Sequence, residues 1–371
     1  MAIRSAERSE ADNARLAELA AAYTERHAGM ESYVLSWRLA FLLLRKLGLD
    51  PAGARGRIAN LALIAILLFG VPAAVAAATD QWHLAPLRTW AMVALLFGVL
   101  GAVIYGPLRA AIEEFLSLHR LMAEVAGLER LVAWDRRWFS LRVSIPATAL
   151  FATAMFALLI GRMDDAWSPI DNGTLVVAAM LLYEVGEVLF TVVMLGVESR
   201  LLDRYDYDLY RLSPIDSIGV QRSIRGSNRL GLLVGLVATT IIVGFLMLFA
   251  DQAALVGEIA LSLLAMAYIA TAMGVILPRL AMKRIVRGEK ERELGPLQHR
   301  LDELTGRLGN LSEREDKELV RLRETHDLIR RSGESVLPLS SIGQLLSSLI
   351  IPTLTVALSQ AGREFILRLF R

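Results

Sequence analysis

Residues 174–197 read TLVVAAMLLYEVGEVLFTVVMLGV, a run of 24 residues in which only Glu184 and Glu187 carry charge. At 1.5 Å per residue, a helix of about 20 residues is enough to cross a hydrocarbon core of about 30 Å. The run lacks the period-2 alternation that marks the strand of a membrane barrel. It therefore predicts a membrane-spanning helix.

Five further runs have comparable length and composition: 58–78, 89–108, 143–161, 230–250 and 259–278. The whole chain of 371 residues is 55% hydrophobic, with a mean hydropathy of +0.47. This composition excludes a disordered protein and argues against an ordinary soluble enzyme or nucleic-acid binder. We therefore expect an all-α, polytopic membrane protein with six transmembrane helices, paired into three hairpins by the short connectors 79–88, 162–173 and 251–258.

Basic residues lie almost entirely on one side of the predicted spans. The stretches 38–57, 107–142, 199–229 and 279–292 hold 23 lysine and arginine residues, whereas the three connectors hold two. Because such residues are retained on the cytoplasmic side, we expect a plasma (inner) membrane protein with both termini in the cytoplasm. The opening residues have no apolar segment ahead of a cleavage site, so no signal peptide is expected.

The segments outside the spans are predicted to be mainly helical. Residues 1–56 form a cytoplasmic amphipathic region, in which the basic stretch 33–47 lies either in the membrane interface or against the inner span ends. The membrane domain, 57–282, contains cytoplasmic loops at 109–142 and 198–229. Apolar residues at helical spacing in the first loop predict that its span continues as a helix beyond the membrane.

Two C-terminal segments follow the spans. Residues 283–336 predict a charged helical hairpin or short coiled coil, with a new helix starting at Gly295-Pro296 and a capping box at Ser312 and Glu315. Its leucine seam lasts only about two heptads, which favours a hairpin within one subunit over an oligomerising coil. Residues 337–371 predict an apolar tail with a basic end, which re-enters the membrane, lies on it or packs beneath it. A seventh span would put the terminal arginines outside, against the charge bias.

Tryptophans and small residues add two local predictions. Trp82, Trp90 and Trp167 fall near the outer span ends, where the headgroup level favours amphipathic rings. Gly231, Gly235 and Thr239 give the fifth span a small-residue face that allows close helix approach, within a subunit or between subunits.

The strongest functional signal is the pair Glu184 and Glu187, three residues apart on one face near the middle of the fourth span. Carboxyls at that depth cost roughly 2.5–3.5 kcal/mol each on insertion and indicate function by default. No Lys, Arg or His falls inside the six runs. The carboxyls are therefore protonated, share a bound cation or face a watery cavity, unless a protonated carboxyl serves only to bind helices together.

Four more polar residues fall at a similar depth: Thr239, Thr240, Tyr268 and Thr271. With the glutamates they could form an ion or proton pathway, whereas the simpler interpretation is that they bond across helices or to their own backbone. The two function hypotheses are an oligomeric cation- or proton-conducting channel or transporter, and a membrane-anchored sensor, scaffold or effector acting through its cytoplasmic helices.

Motifs for catalysis and cofactor binding are missing from the sequence. There is no cysteine, no H-E-x-x-H, no G-x-S-x-G, no P-loop and no G-x-G-x-x-G opening a helix, and the five histidines show no ligand spacing. We therefore expect no enzyme activity, cofactor, metal or nucleic-acid partner. The expected partners are the lipid bilayer, a monovalent cation or proton, and further copies of the chain.

Overall fold

The computed structural model describes residues 10–28, 43, 46–49, 53–162, 171–249, 253–307, 312–333 and 350–357. These residues form helices joined by turns and contain no β-strand, apart from one isolated bridge between Met122 and Tyr207. The helices are α1 (Glu10–Ala28), α2 (Ala54–Ala78), α3 (Leu87–Phe115), α4 (Val125–Trp138), α5 (Leu141–Arg162), α6 (Asn172–Leu202), α7 (Ile218–Leu248), α8 (Ala253–Thr271 and, through a π turn, Leu277–Thr305) and α9 (Glu313–Arg331). Residues 350–357 are also helical.

Six helices in the described part of the chain are long and apolar enough to cross a membrane: α2, α3, α5, α6, α7 and α8. Their apolar windows have mean hydropathies of 2.0–2.6. They coincide with the six runs read from the sequence, so the prediction of six apolar helices is confirmed.

Several of these helices are longer than a membrane is thick. Helices α6 and α7 have 31 residues each, or about 46 Å at 1.5 Å per residue. The excess length lies at the end of the bundle where α3 and α6 finish and α7 begins, which we call the arginine-rich end. There a second hydrophobic core forms from α1, α4 and the extended helices, separate from the core among the apolar segments.

Helices α3 and α7 pack with their backbones almost in contact. A Cβ atom at Gly226 would lie 2.3 Å from the Phe115 nitrogen and 2.7 Å from the Ala111 carbonyl oxygen. The Ser223 hydroxyl donates to the Phe115 carbonyl at 2.6 Å, and the Ser117 hydroxyl donates to the Gly219 carbonyl at 2.8 Å. These bonds fix the register of the two antiparallel helices at the arginine-rich end.

The small-residue face of α7 packs within the subunit. A Cβ at Gly231 would lie 2.8 Å from the Val275 side chain of α8. The hydroxyl of Thr239, on the same face, donates to the Gly235 carbonyl at 2.8 Å.

The predicted helix start at Gly295-Pro296 is wrong, because α8 continues through Pro296 to Thr305. Proline removes one helical hydrogen bond, but Pro296 is exposed, so water can satisfy the released carbonyl. Helix α9 then runs back antiparallel to α8: Arg300 pairs with Glu318 at 3.1 Å, and the Lys290 ammonium donates to the carbonyls of Arg330 and Ser332, each at 2.9 Å. The capping box of Ser312 and Glu315 at the start of α9 is confirmed.

The interpretation of Trp90 as an interfacial residue is wrong. Its ring is fully buried, and its indole nitrogen donates to the Thr174 hydroxyl at 3.1 Å. Trp82 is half exposed, as an interfacial residue would be, whereas Trp167 lies outside the described residues. Most of the predicted amphipathic stretch 33–47, and the tail apart from 350–357, also lie outside them.

Candidate functional site

The carboxylate pair lies on α6, the helix that packs against most of the other apolar helices. Glu187 is only 3% exposed, and Glu184 is half-buried. The Tyr183 hydroxyl lies beside the Glu187 carboxyl, four residues along the same helix face, and within electrostatic range of Glu184. Sequence reasoning missed Tyr183, although its i, i+4 spacing from Glu187 was available as a signal.

Helix α5 packs against α6 at Gly186, at the level of the pair. A Cβ at Gly186, between the two glutamates, would lie 2.9 Å from the Phe151 ring and 3.2 Å from the Thr148 carbonyl oxygen. Glycine at this position therefore allows the backbone of α5 to approach α6 at the level of the carboxyls. One turn further along α6, the Thr191 hydroxyl is buried without a hydrogen-bond partner among the described residues. Glu187 and Thr191 thus form a buried polar stripe along α6.

Three of the four hydroxyls predicted to join the glutamates have other partners. Thr239 and Thr240 donate to the carbonyls of Gly235 and Leu236 on their own helix, at 2.8 and 3.0 Å. Tyr268 on α8 pairs with the Thr353 hydroxyl at 2.6 Å. These three follow the simpler interpretation, bonding to backbone or to another helix. Thr271 is buried with no hydrogen bond to its hydroxyl in the described part of the chain.

A small groove that is open to the surface runs between α6, α7 and α8. Its lining is apolar throughout: Val185, Val188 and Leu189 from α6, Val234, Val237, Ala238 and Ile241 from α7, and Leu263, Met266, Ala267 and Ala270 from α8. Neither Glu184 nor Glu187 is among the lining residues. The groove therefore does not supply a hydrophilic path past the carboxylate pair.

A second buried polar cluster lies at the arginine-rich end and joins three distant parts of the chain. Tyr23 of α1, His119 of the turn after α3 and Glu198 of α6 are each at most 2% exposed. The Tyr23 hydroxyl donates to Glu198 Oε1, and His119 Nε2 lies 3.4 Å from the same oxygen. Sequence reasoning missed this cluster, since residues so far apart in the chain carry no common spacing.

Arg279 of α8 is a third polar feature of the interior. The sequence places it among the solvated basic residues that follow the sixth span, yet it is 1% exposed. Its three guanidinium nitrogens have no hydrogen-bond partner among the described residues. An isolated buried charge of this kind opposes folding, because desolvation of the charge is not compensated.

Replacing Arg279 with methionine is therefore expected to stabilise the protein by about 1 kcal/mol or more, within the range found when buried ionic groups become apolar. Denaturant titration of the detergent-solubilised protein would measure the change. Lys283→Met, at an exposed position of the same helix, is the control and should change stability by less than about 0.5 kcal/mol. A loss of stability in Arg279→Met would show that the guanidinium has a partner in solution.

The described residues contain no group of three or more histidine, aspartate and glutamate side chains placed to hold a metal ion. Comparison with known proteins finds no matching family model, no matching curated protein and no matching solved structure. The functional argument therefore rests on the chain itself.

Proposed function

We propose that the six apolar helices form a membrane domain of three hairpins, with the arginine-rich end in the cytoplasm. The bias of 23 basic residues against two supports this orientation. On α3, Met92, Leu95, Val99 and Val103 form a stripe of side chains that are each at least half exposed. A stripe of this kind at helical spacing is typical of a surface that faces lipid. Plasma (inner) membrane placement follows from the same argument.

The tail is proposed to enter the membrane rather than lie on its surface. Thr353 bonds to Tyr268, near the middle of the sixth predicted span, and Val356 is buried in the core formed by the apolar helices. A segment lying on the headgroups would not reach this depth. The re-entrant alternative therefore has the better structural support.

Within this domain, we propose that the protein conducts protons or a monovalent cation by way of Glu184 and Glu187. The observation that carries the proposal is the burial of Glu187 in an apolar helix, beside the Tyr183 hydroxyl. A carboxyl held away from water is retained at a cost that function would explain. Two carboxyls three residues apart can exchange a proton or share a cation through their oxygens.

An oligomer is proposed as the conducting form. Six spans are few for an alternating-access carrier, and no inverted repeat is visible in the sequence. The groove between α6, α7 and α8 is apolar, and we propose that a hydrophilic path past α6 forms where subunits meet. Cytoplasmic helices would then serve for assembly or gating.

Ion flux into proteoliposomes tests the proposal. Under proton, K⁺ and Na⁺ gradients, the intact protein is expected to conduct, and the Glu184→Gln/Glu187→Gln double variant is expected to lose nearly all of this flux. Glutamine keeps the shape and hydrogen bonding of the side chain but can neither ionise nor release a proton.

Glu113→Gln is the matched control, because Glu113 is an exposed carboxylate paired with Arg109 beyond the second predicted span. Its flux should equal that of the intact protein. The proposal fails if the intact, folded protein conducts under none of the gradients, or if the double variant conducts as well as Glu113→Gln.

The second candidate is a sensor, scaffold or effector that acts through the paired helices α8 and α9. The observation that favours it is the continuity of α8, which runs as one helix from the sixth predicted span to Thr305. Arg284 and Arg292 of α8 also form ion pairs with Asp203 and Asp206, at 2.7 and 2.6 Å. A ligand that displaced α9 would therefore act directly on a span. In this case the glutamates are structural, and the double variant should be less thermally stable than Glu113→Gln.

A further inference from the structure

The cluster of Tyr23, His119 and Glu198 is the most completely buried group of titratable side chains outside the carboxylate pair. His119 Nδ1 lies 3.1 Å from the Leu116 carbonyl oxygen, and the Tyr23 and His119 rings are 5.0 Å apart. The geometry of these contacts determines where hydrogens can lie, because a carbonyl oxygen can only accept.

His119 Nδ1 must therefore carry a hydrogen. In a neutral imidazole, Nε2 is then a bare acceptor and its lone pair faces Glu198 Oε1 at 3.4 Å. Two lone pairs repel each other, and a hydrogen on either atom removes the repulsion. One proton therefore belongs to the pair, on Nε2 as an ion pair or on Oε1 as a neutral pair.

Changing the proton count leaves an uncompensated group in the interior. With two protons, the pair becomes an imidazolium beside a neutral carboxyl and holds a buried positive charge. With no proton, a buried carboxylate faces the nitrogen lone pair and keeps the Tyr23 hydroxyl as its hydrogen-bond donor. Either state buries a net charge, whereas the one-proton state is neutral overall.

We propose that His119 and Glu198 form a site for a single proton, and that its occupancy fastens helix α1 to the ends of the membrane helices. Tyr23 is the residue of α1 that reaches the site, and Leu16 and Ala20 bury the same face of the helix. On the exposed side, Arg15 reaches Glu129 only at 3.8 Å with both side chains half exposed, so this ion pair adds little. The inference stands whether or not the protein conducts ions.

Other titratable groups in this core are few. Tyr207, after α6, lies within electrostatic range of Glu198, and its pKa is raised well above the usual value by burial and by Tyr205, Asp203 and Glu198. Among the described residues, the other buried charged groups on the helices of this end are Asp135 on α4 and Arg279, Glu289 and Lys290 on α8. Tyr207 thus stays neutral through the range in which imidazole and carboxyl groups titrate.

The distance between α1 and the bundle tests the proposal directly. The chain has no cysteine, so spin labels can be placed at Ala21→Cys on α1 and Arg225→Cys on α7, both exposed positions. Pulsed electron resonance from about pH 4 to about pH 10 covers the usual pKa values of carboxyl, imidazole and phenol groups. We expect one short, narrow distribution of distances between the labels at intermediate pH. At lower and at higher pH it should be replaced by longer distances.

Glu198→Gln distinguishes the loss of the short distance at low pH from its loss at high pH. Its amide nitrogen, in the place of Oε1, can donate to a neutral His119, and its amide oxygen is then the atom left to accept from Tyr23. The variant thus holds a neutral pair without a carboxyl that loses a proton at high pH. We expect this variant to keep the short distance on the alkaline side and to lose it only on acidification, when His119 becomes charged. Glu129→Gln is the matched carboxylate substitution facing α1. It should lose the short distance at both low and high pH, as the unsubstituted labelled protein does.

Three results would overturn the proposal. One is a short distance that does not depend on pH across the range. Another is an alkaline loss in Glu198→Gln equal to that of the unsubstituted labelled protein. The third is a simultaneous change in a reference pair at Ala110→Cys and Arg225→Cys on α3 and α7, since the proton would then hold the whole core together rather than α1.

Discussion

Gly226→Ala is expected to destabilise the protein by about 3 kcal/mol, at the upper end of what overpacking costs. The added methyl group would lie 2.3 Å from the Phe115 nitrogen and 2.8 Å from the Glu114 carbonyl carbon. Both atoms belong to the α3 backbone, which cannot rotate away as a side chain can. Helices α3 and α7 would have to separate, breaking the hydrogen bonds that Ser117 and Ser223 make across the interface.

The measurement is denaturant unfolding in detergent, followed by circular dichroism, with Gly288→Ala as the matched control. Gly288 is an exposed position of α8 with nothing within 4 Å of an added Cβ. Alanine there should raise stability by about 1 kcal/mol, because glycine is the weaker helix former. Opposite signs for the two variants would confirm the close approach. A Gly226→Ala protein as stable as the parent would show that α3 and α7 are further apart.

The parts of this fold that sequence could predict are those set by local chemistry. Six apolar runs specify six helices through length and hydropathy, and Ser312 with Glu315 specify a helix start through a hydrogen bond within one turn. By contrast, Pro296 predicted a helix break by a local rule that solvent exposure of the position overrides. The backbone contact at Gly226 was not predicted, because it depends on α3, more than 100 residues earlier in the chain.

The candidate site divides in the same way. The spacing of Glu184 and Glu187 placed them on one face of a helix, and in the structure Glu187 is buried and Glu184 is half-buried. The partners of Tyr268 and the cluster around Glu198 could not be predicted, since each is formed by segments brought together only by folding. Glu187 and Glu198 are 11 residues apart, close to three helical turns. They share a face of α6 about 16 Å apart, so a rigid helix connects the proposed ion site to the proposed proton site.

Trp90→Ala is expected to destabilise the protein by about 3–5 kcal/mol, the usual loss for a fully buried tryptophan. The ring occupies space that Gly173 leaves open: a Cβ there would lie 2.4 Å from the Trp90 ring. Its indole nitrogen bonds Thr174, whose own hydroxyl and amide donate to Asp171 at the start of α6. One side chain thus joins α3 to the first turn of the helix that carries the glutamates.

Two matched substitutions show whether this effect comes from the interior or from the membrane interface. Trp82→Ala removes a half-exposed ring from the connector between α2 and α3 and should cost less than about 1 kcal/mol. Trp90→Phe keeps most of the buried area but loses the bond to Thr174, so about 1 kcal/mol is expected. If Trp90 were a headgroup anchor, Trp90→Ala and Trp82→Ala would have similar small effects. A large difference requires Trp90 to be part of the packed core that positions the start of α6, and hence the depth of Glu184 and Glu187.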